Sequence, residues 1–373
     1  MALQAARIET FLLEAPVANP VRNSFRTLTA RPALLLRITD ADGATGWGEV
    51  WCNYPPGGAA HRARLLEKVI APLVIGRSFA DPAQAFEYLD QATRVPAIQC
   101  GEPGPFAQVV AGIDIALWDL AARREGIALW RKFGGAGSVR VYASGLGPEQ
   151  PEKLAAQKID EGYRAVKVKV GFDAAIDARN LQALREVLGR DGALMADANQ
   201  RWTPAQAAVA GKAFDKFAMA WLEEPIAADE ALAHWQTLAR AIDTPLSAGE
   251  NLRGLESFSA AINSGALAVI QPDPGKWGGF SGCLKVARVA NNAGVRFCPH
   301  WLGGGIGLLA ALNLLSAADA EGWGEVDANP NPLRELLLPQ DFKVRDGRVQ
   351  LSDRPGLGHE PDAGVLQQFS VGP

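Results

Sequence analysis

Eight short apolar or β-branched runs alternate with alanine-rich helical patterns between residues 138 and 326. The runs lack the polar/apolar alternation of a half-exposed sheet, which indicates parallel strands buried on both faces. Eight strand–helix units within about 190 residues predict a barrel of the (β/α)8 type. The predicted strands are Val139–Ala143, Ala165–Val170, Ala193–Ala198, Ala218–Glu223, Pro245–Gly249, Ala268–Gln271, Val295–Pro299 and Trp323–Val326.

The segments on either side of this region have a different pattern. Before it come predicted strands, including a hairpin with an Asp42-Gly43 turn, and then helical patterns, so residues 1–130 predict a separate α+β domain. Residues 131–330 predict the barrel. After it, a short hairpin and a Gly/Pro-rich tail predict a C-terminal segment, residues 331–373, that packs back on the N-terminal domain.

The composition excludes several classes of protein. The 37 basic and 41 acidic residues give a net charge of −4, so there is no electrostatic basis for binding nucleic acid or an anionic membrane. No apolar run reaches the roughly 18 residues of a membrane span, and charged residues interrupt the first 20 residues, where a signal peptide would be apolar. The four cysteines form no CxxC pair, which is typical of a reducing compartment. A cytoplasmic enzyme is the expectation.

One charged or polar residue lies within two residues of the end of each of seven predicted strands. Successive members are 28, 26, 27, 23, 27 and 25 residues apart, which is one strand–helix unit each time. This repeat places them at one end of the barrel, and in such barrels the carboxyl ends of the strands carry the active site. Each alone could be a loop cap, but an accidental ring of buried charges would be unfavourable. The seven are Lys169, Asp197, Glu223, Glu250, Asp273, His300 and Glu325.

Three of these residues, Asp197, Glu223 and Glu250, are carboxylates on consecutive strands. Converging carboxylates without a cysteine or a nearby histidine predict Mg²⁺, with Mn²⁺ as the alternative, rather than zinc. Asn199 is a polar neighbour that could support the site. The other interpretation, that Glu223 pairs with surface lysines, is disfavoured by the apolar Trp221-Leu222 before it.

Lys167 and Lys169 are two residues apart in one predicted strand and therefore share a face. An amphipathic edge strand is the alternative, but a closed barrel has no edge. Beside a cluster of carboxylates, one lysine could neutralise a substrate carboxylate. The other could act as a base, with its pKa lowered by burial and by its cationic neighbour.

Asp273 and His300 end adjacent predicted strands. A carboxylate that accepts from one imidazole nitrogen fixes the tautomer and raises the basicity of the other nitrogen. A single buried histidine is usually structural, but this one is followed by Gly303-Gly304-Gly305, where the backbone must approach something closely. Bases on both sides of a metal-bound substrate predict abstraction of the proton next to a carboxylate, with the enolate stabilised by the metal and a lysine.

These residues resemble the enolase superfamily, and within it the mandelate racemase subgroup. Members of the superfamily combine a Lys or His base with Mg²⁺. The resemblance covers nearly the whole chain. Its motifs are Lys167-Val-Lys169, Asp197-Ala-Asn199, Trp221-Leu-Glu-Glu-Pro225, Gly249-Glu250-Asn251, Asp273-Pro-Gly-Lys-Trp-Gly-Gly279, His300, Glu325 and, outside the barrel, Gly112-Ile-Asp-Ile-Ala-Leu-Trp-Asp119.

The resemblance implies a (β/α)7β barrel, which is a modified TIM barrel, under an α+β capping domain. It also implies a small-molecule carboxylate substrate and a homo-oligomeric assembly. It also gives each of these residues a role. Asp197, Glu223 and Glu250 would be the Mg²⁺ ligands, and Lys169 and the His300–Asp273 dyad would be the acid/base groups. Lys167 would neutralise charge, and Glu325 would form a hydrogen bond with the substrate carboxylate.

One position separates this subgroup from muconate lactonizing relatives, which carry a lysine base five residues before a Gly-Gly pair. Here that position, five before Gly278, is Asp273, so muconate cycloisomerase and dipeptide epimerase activities are disfavoured. Within the subgroup the same groups dehydrate acid sugars, racemise or epimerise α-hydroxy acids, or open sugar lactones.

Dehydration of an aldonate or aldarate to a 2-keto-3-deoxy acid is the first expectation. Lys169 or His300 would take the α-proton, and His300 would protonate the leaving 3-hydroxyl. Pro299-His300-Trp301 and the following glycines resemble the galactarolactone cycloisomerase branch, so lactone opening is kept as the alternative.

Substrate specificity is expected from two capping-domain loops, residues 17–29 and 51–58. An arginine in the first could bind a distal carboxylate and favour a diacid such as an aldarate, although a solvated surface arginine is an equal alternative. The aromatic residues of the second could form an apolar wall or pack under the lid. The candidate substrate contacts, including two from the barrel, are Asn199, Arg22, Arg26, Trp51, Tyr54 and Trp301.

Two other classes of function fit the sequence less well. A metal hydrolase on such a barrel would need a His-x-His motif after the first strand, and Val141-Tyr142-Ala143 lacks one. A non-catalytic sugar-acid-binding relative would be expected to have lost a base or a metal ligand, and here every position is filled.

Overall fold

The computed structural model describes residues 3–22, 27–319 and 321–372; for residues 18–22 and 27–28 it describes the backbone only. The N-terminal region, residues 3–132, is a four-stranded antiparallel sheet with helices packed against it. Its strands, in the order β3-β2-β1-β4, are β1 (Leu3–Arg22), β2 (Thr27–Asp40), β3 (Thr45–Val50) and β4 (Ser78–Phe79). Its helices are α1 (Gly58–Leu65), a π-helical turn (Leu66–Ile70), α2 (Ala71–Val74), α3 (Pro82–Gln99), α4 (Pro103–Arg124) and α5 (Leu129–Lys132).

The described parts of the first predicted specificity loop, residues 17–22 and 27–29, lie in two paired strands and not in an irregular loop. Strand β1 continues to Arg22, and β2 begins at Thr27, which lies opposite Arg22 in the register. The register shifts between Pro16 and Val21, where proline disrupts the alternation that would identify a strand in the sequence. Arg26 lies outside the described residues, as does the side chain of Arg22, so their contacts with substrate stay predictions.

Glycines allow α4 to pack directly on β3. A Cβ atom at Gly46 would overlap the carbonyl oxygen of Ala116, and one at Gly48 would overlap that of Gly112. Helix α4 is long and apolar enough to span a membrane, but 83% of its most apolar window is buried inside the protein. Packing therefore explains its composition, and it carries Asp114 and Asp119 into the interior.

The barrel follows the predicted order of elements. Its eight strands are β5 (Ser138–Leu146), β6 (Ala165–Lys169), β7 (Ala193–Asp197), β8 (Trp221–Glu223), β9 (Leu246–Ala248), β10 (Val269–Ile270), β11 (Arg296–Phe297) and β12 (Trp323–Asp327). The seven helices between them are α6 (Pro151–Asp160), α7 (Ala174–Leu188), α8 (Pro204–Phe214), α9 (Leu232–Ala241), α10 (Leu255–Asn263), α11 (Gly279–Asn292) and α12 (Gly305–Ala318), with a 3-10 turn at Asp215–Phe217. Strands β5 to β11 pair in sequence in parallel, and β12 pairs in parallel with β5. The predicted (β/α)7β architecture is confirmed.

The barrel interior supports the residues at the strand ends. Five barrel strands, and Cys298 directly after β11, contribute to one buried cluster of Tyr142, Ala165, Met195, Trp221, Val269 and Cys298. Because side chains two residues apart share a face of a strand, Lys167, Asp197 and Glu223 lie on the same faces as Ala165, Met195 and Trp221. The ionisable groups therefore form the layer directly above the apolar filling.

The C-terminal segment contains α13 (Pro332–Glu335), β13 (Val344–Arg345), β14 (Arg348–Gln350) and α14 (Ala363–Gln368). The β13–β14 hairpin adds to the barrel, because β14 pairs antiparallel with β5. The end of the chain contacts the N-terminal sheet: the Val371 amide donates to the Leu12 carbonyl at 2.9 Å, and Phe369 accepts from the Glu14 amide at 2.9 Å.

Candidate active site

The structure brings all seven strand-end residues together at the carboxyl ends of the barrel strands. The parallel register places Lys169 beside Asp197 and Asp197 beside Glu223. Six of the seven residues are buried, and the Glu250 side chain is 14% exposed. Such a density of buried charge is found mostly at functional sites.

Each lysine pairs with carboxylates of neighbouring strands. Lys169 Nζ lies 2.5 Å from Asp197 Oδ2. Lys167 Nζ lies 2.5 Å from Glu223 Oε1 and 2.9 Å from Glu325 Oε1. Lys167 therefore links two strands on opposite sides of β6.

The expected lowering of a lysine pKa is wrong in direction. Burial and the nearby Lys167 charge lower the pKa of Lys169, but the charge and hydrogen bond of Asp197 together with the Glu223 charge outweigh them, so the pKa is raised. Burial likewise lowers the pKa of Lys167, and Glu223 and Glu325 raise it well above its ordinary value. The sequence shows two lysines side by side but not how closely each approaches a carboxylate, and here the carboxylates dominate.

His300 lies between three carboxylates. Its Nδ1 is 2.6 Å from Asp273 Oδ2, and its Nε2 is 2.6 Å from Glu250 Oε2 and 3.7 Å from Glu325 Oε2. Burial opposes the charged imidazolium, but Glu250 and Glu325 raise the His300 pKa well above its ordinary value. Asp273 is held in turn by the backbone amide of Gly275 at 2.8 Å, so the predicted pairing of Asp273 with His300 is present in the structure.

Glu325 is ionised in this arrangement. Burial alone would raise its pKa, but the charges of Lys167 and His300 outweigh burial and lower the pKa to about 2. It accepts hydrogen bonds from Ser144 Oγ and, at 3.3 Å, from the Trp301 amide. An ionised carboxylate cannot donate, so the predicted hydrogen bond to a substrate carboxylate requires protonation of Glu325.

Glu223 is oriented by three donors. Besides Lys167 on Oε1, its Oε2 accepts from Trp221 Nε1 at 3.1 Å and from Gln271 Nε2 at 2.6 Å. Burial raises its pKa to about 7; Lys167 opposes this, and Asp197 adds to it.

The other two predicted metal ligands also have protein partners. Asp197 Oδ1 accepts from the Asn199 amide at 2.7 Å, so Asn199 orients the carboxylate, as its position in the motif suggests. Glu250 Oε1 accepts from Asn251 Nδ2 at 3.0 Å and lies 3.3 Å from Lys276 Nζ.

The donor set has the chemistry of a site for a hard divalent cation. Asp197, Glu223 and Glu250 present carboxylate oxygens from three neighbouring strand ends, and Mg²⁺ prefers such ligands. Among the described residues, no three His, Cys, Asp or Glu side chains already surround one point as metal ligands do. Lysine, imidazole and amide donors occupy the carboxylate oxygens instead.

Several polar residues of the site escaped the sequence analysis. Ser144 lies near the end of β5, the first barrel strand, and 25 residues before Lys169. Extending the regular spacing of the strand-end residues back by one strand would have found it. Gln271 is the last residue of the predicted strand Ala268–Gln271 and lies two residues before Asp273. Lys276 is part of the motif that begins at Asp273, but the sequence analysis gave it no role; its side chain reaches Glu250 from the loop after β10.

Trp301 packs inside the protein and is 2% exposed. Its indole Nε1 donates to the Gly304 carbonyl at 3.0 Å. A Cβ atom on Gly275 or Gly303 would come within 2.5 Å of the ring, and one on Gly307 would overlap it. The glycines approach this ring closely, and the predicted contact between Trp301 and substrate stays a prediction.

The second specificity segment reaches the barrel through Trp51. Lys276 Nζ lies 4.7 Å from the centre of the Trp51 ring, a cation–π distance. Tyr54 is 50% exposed, and its carbonyl accepts from Arg62 Nη2 at 3.1 Å. Trp51 is therefore next to the ionisable groups of the site, and Tyr54 is open to solvent.

Comparisons with known proteins identify the class. Two protein-family models match the chain. The family described as mandelate racemase / muconate lactonizing enzyme, N-terminal domain, matches residues 7–134, and the family described as enolase C-terminal domain-like matches residues 151–365. The chain belongs to the enolase superfamily, in its mandelate racemase subgroup. It is an enzyme of the lyase or isomerase kind found there.

Three similar proteins narrow the comparison. The chain is 30% identical to D-galactarolactone cycloisomerase of Agrobacterium fabrum, over 99% of both chains. It is 50% identical to a mandelate racemase/muconate lactonizing enzyme of Bordetella bronchiseptica RB50, with a TM-score of 0.93 over 99% of this chain and 100% of that one. A mutant L-talarate/galactarate dehydratase, solved with Mg and L-glucarate, is 28% identical with a TM-score of 0.86, over 99% of this chain and 92% of that one.

Proposed function

We propose that the protein dehydrates an acid sugar, an aldonate or aldarate, to a 2-keto-3-deoxy acid in a Mg²⁺-dependent reaction. The observation that carries this proposal is the placement of two candidate acid/base groups across one mouth. Lys169 is on β6, and His300 follows β11, five strands away in the sheet order. A substrate bound between them would have one group on each face of its α-carbon.

Asp197, Glu223 and Glu250 are the residues that would hold Mg²⁺. The metal would supply positive charge to the enolate oxygens that develop when the α-proton leaves. Lys167, which is fully buried, would add a second positive charge next to the substrate carboxylate. Such fixed charges in a buried site cost no reorganisation during the reaction.

The proton transfers balance with the groups present. Lys169 or His300, in its neutral form, takes the α-proton, and the electron pair of that C–H bond forms the enolate. The enolate electrons then expel the 3-hydroxyl, which leaves as water with a proton from His300. The resulting enol releases its O–H proton to solvent and takes at carbon 3 the proton that the base removed from the α-carbon, which gives the 2-keto acid. For His300 to act as the acid, Nε2 must carry the proton, and Asp273 at Nδ1 favours that imidazolium.

Lactone opening is the second candidate. It is supported by the 30% identity to D-galactarolactone cycloisomerase over 99% of both chains. The same base and metal would form the enolate, and a ring carbon–oxygen bond would break in place of the bond to a hydroxyl. An α-hydroxy acid racemase or epimerase would use Lys169 and His300 on opposite faces without loss of a group.

Product analysis separates these candidates. The purified enzyme with Mg²⁺ would be incubated with aldonates, aldaric acids and their lactones, and the products identified by NMR and by semicarbazide derivatisation of α-keto acids. The proposal predicts a 2-keto-3-deoxy acid from at least one open-chain acid. Turnover of lactones alone would replace it with cycloisomerisation, and configurational inversion alone would replace it with racemisation or epimerisation.

A further inference from the structure

A buried carboxylate of the N-terminal region binds the start of α12. Glu49, at the end of β3, accepts from the Gly304 amide at 2.5 Å and from the Gly307 amide at 2.8 Å. The side chain of Asn53, through Nδ2, also donates to the Leu302 carbonyl. The loop that connects His300 to α12 is therefore held by residues from another part of the chain.

A second buried carboxylate does the same for α11. Asp114, in α4, accepts from the amides of Phe280 at 2.7 Å and Ser281 at 3.0 Å, and from Ser281 Oγ at 2.5 Å. Phe280 and Ser281 are in the first turn of α11, whose amides have no partner within the helix. A carboxylate at a helix N-terminus also interacts favourably with the helix dipole.

These two helices are the ones that follow the dyad residues. Asp273 lies six residues before the first residue of α11, and His300 lies five before the first residue of α12. The helix starts define where the two short loops end. Fixing both starts restricts the relative position of Asp273 and His300.

Glycines make both approaches possible. A Cβ atom at Gly304 would lie 2.7 Å from Glu49 Oε1, and one at Gly279 would overlap Asp114 Oδ2. Gly279 also has a φ of +51°, which glycine adopts without strain. The glycines that follow Asp273 and His300 in the sequence thus leave room for Asp114 and Glu49 to reach the two helix starts.

Burying the Glu49 and Asp114 carboxylates is electrostatically unfavourable. Glu49 is 2% exposed and Asp114 1% exposed, and burial raises the pKa of each to about 7. In the described part of the chain neither forms an ion pair with Lys, Arg or His. A charge buried without a cation is unfavourable, so these positions require a benefit beyond filling space.

We propose that Glu49 and Asp114 are positioning residues, which hold the N-termini of α12 and α11 so that His300 and Asp273 keep the geometry needed for proton transfer. This proposal rests on the proposed function for the catalytic role of the dyad. Its structural content, that the capping region sets the His300–Asp273 hydrogen bond, stands independently of the substrate.

The test compares E49Q and D114N with the wild-type enzyme in Mg²⁺. Gln and Asn cannot accept from all the same donors, because their NH₂ groups face backbone amides. The expected result is a fall in kcat of roughly 10- to 100-fold, with KM changed less than about threefold. In ¹⁵N-histidine spectra, the His300 Nδ1 resonance, assigned with H300N, should shift in both variants.

D119N is the matched control. Asp119 is also a buried carboxylate of α4, but it pairs with Arg123 at 2.8 Å and accepts from the amides of Trp47 and Leu357, away from the dyad. The variant should lose thermal stability while kcat and the His300 resonance stay as in the wild type. In G304A the new Cβ atom would push against the Glu49 carboxylate and disturb the same contact. This variant should therefore show the same His300 shift as E49Q.

The two proposals fail in distinguishable ways. If no sugar acid or lactone is turned over, the proposed function fails, and the histidine spectra still decide the positioning role. If E49Q and D114N are folded and leave the His300 resonance unchanged, the positioning role is overturned, whatever the activity. An equal shift in D119N would also overturn it.

Discussion

The Nδ1 atom of His300 lies 2.6 Å from Asp273 Oδ2, and Nε2 on the other side of the ring faces Glu250 and Glu325. One ring nitrogen is therefore committed to Asp273, and Nε2 is the nitrogen available to a substrate. Asp273 therefore orients the imidazole, and together with Glu250 and Glu325 it favours the charged form.

D273N should lower kcat by roughly 10²- to 10⁴-fold, the usual contribution of a positioned acid or base. The amide can no longer stabilise the imidazolium, so His300 becomes a weaker acid/base group. Steady-state kinetics with the identified substrate test this, with thermal unfolding as the check on folding. A folded D273N enzyme with near wild-type kcat would contradict the role given to the dyad.

Hydrogen-exchange experiments should show which of Lys169 and His300 takes the α-proton. If Lys169 takes the α-proton, H300N still exchanges that proton with D₂O but forms no dehydrated product, and K169A does neither. If His300 takes it, the exchange pattern of the two variants reverses. Exchange that persists in both single variants and in the double variant would exclude both residues as the base.

Mg²⁺ should stabilise the folded enzyme through Asp197 and Glu250. A ligand at about 100 times its Kd adds roughly 2.7 kcal/mol to folding stability, which thermal unfolding detects without any activity. D197N and E250Q should lose most of this response. D160N, a change of the exposed Asp160 at the end of α6, should keep it, and an unchanged response in E250Q would remove Glu250 from the site.

Glu49 should make folding stability depend on pH. Burial raises its folded-state pKa from 4.5 to about 7, so folding favours the protonated form. The stability that protonated Glu49 contributes is present below about pH 4.5 and is lost as the pH rises to about 7, a change of roughly 3 kcal/mol. Urea unfolding at several pH values should show the difference between wild type and E49Q shrinking over this range. A constant difference would mean that Glu49 does not titrate there.

G307A should be destabilising although alanine favours a helix. The new Cβ atom would overlap the Trp301 ring, and such overpacking typically costs about 1–3 kcal/mol. Urea unfolding measures the loss. The Cβ of G104A, in the first turn of α4, meets only Arg253 Nη1 at 4.0 Å, so that variant should be neutral. Replacing Trp301 with Leu in the G307A background should recover stability; equal stability of G307A and wild type would contradict this packing.

The periodic features of the chain could be predicted from its sequence. Buried parallel strands give apolar runs, and one unit per strand gives the spacing from Lys169 to Glu325. These two signals predict a (β/α)8-type barrel and the convergence of the strand-end residues, and the family resemblance adds the (β/α)7β form. The division at residues 130 and 330 and the homo-oligomeric state stay predictions.

Contacts between distant segments could not be predicted in this way. Glu49 and Gly304 are 255 residues apart, and nothing local to either residue indicates that they meet. The raised pKa of Lys169 depends on a 2.5 Å contact with Asp197, a distance that spacing along the chain does not contain. The glycines after His300 indicated a close approach, but only the structure identifies Trp301 and Glu49 as the groups approached.

The most direct test of the central claim is proton NMR in D₂O of a panel of sugar acids and their lactones, with wild-type enzyme and with the K169A/H300N double variant. The account predicts loss of the α-proton signal for at least one acid or lactone with wild type and Mg²⁺. It predicts no loss with the double variant or after chelation of the metal. Retention of the α-proton across the panel by folded, Mg²⁺-loaded wild-type enzyme, or its loss at the same rate in the double variant, would contradict the account.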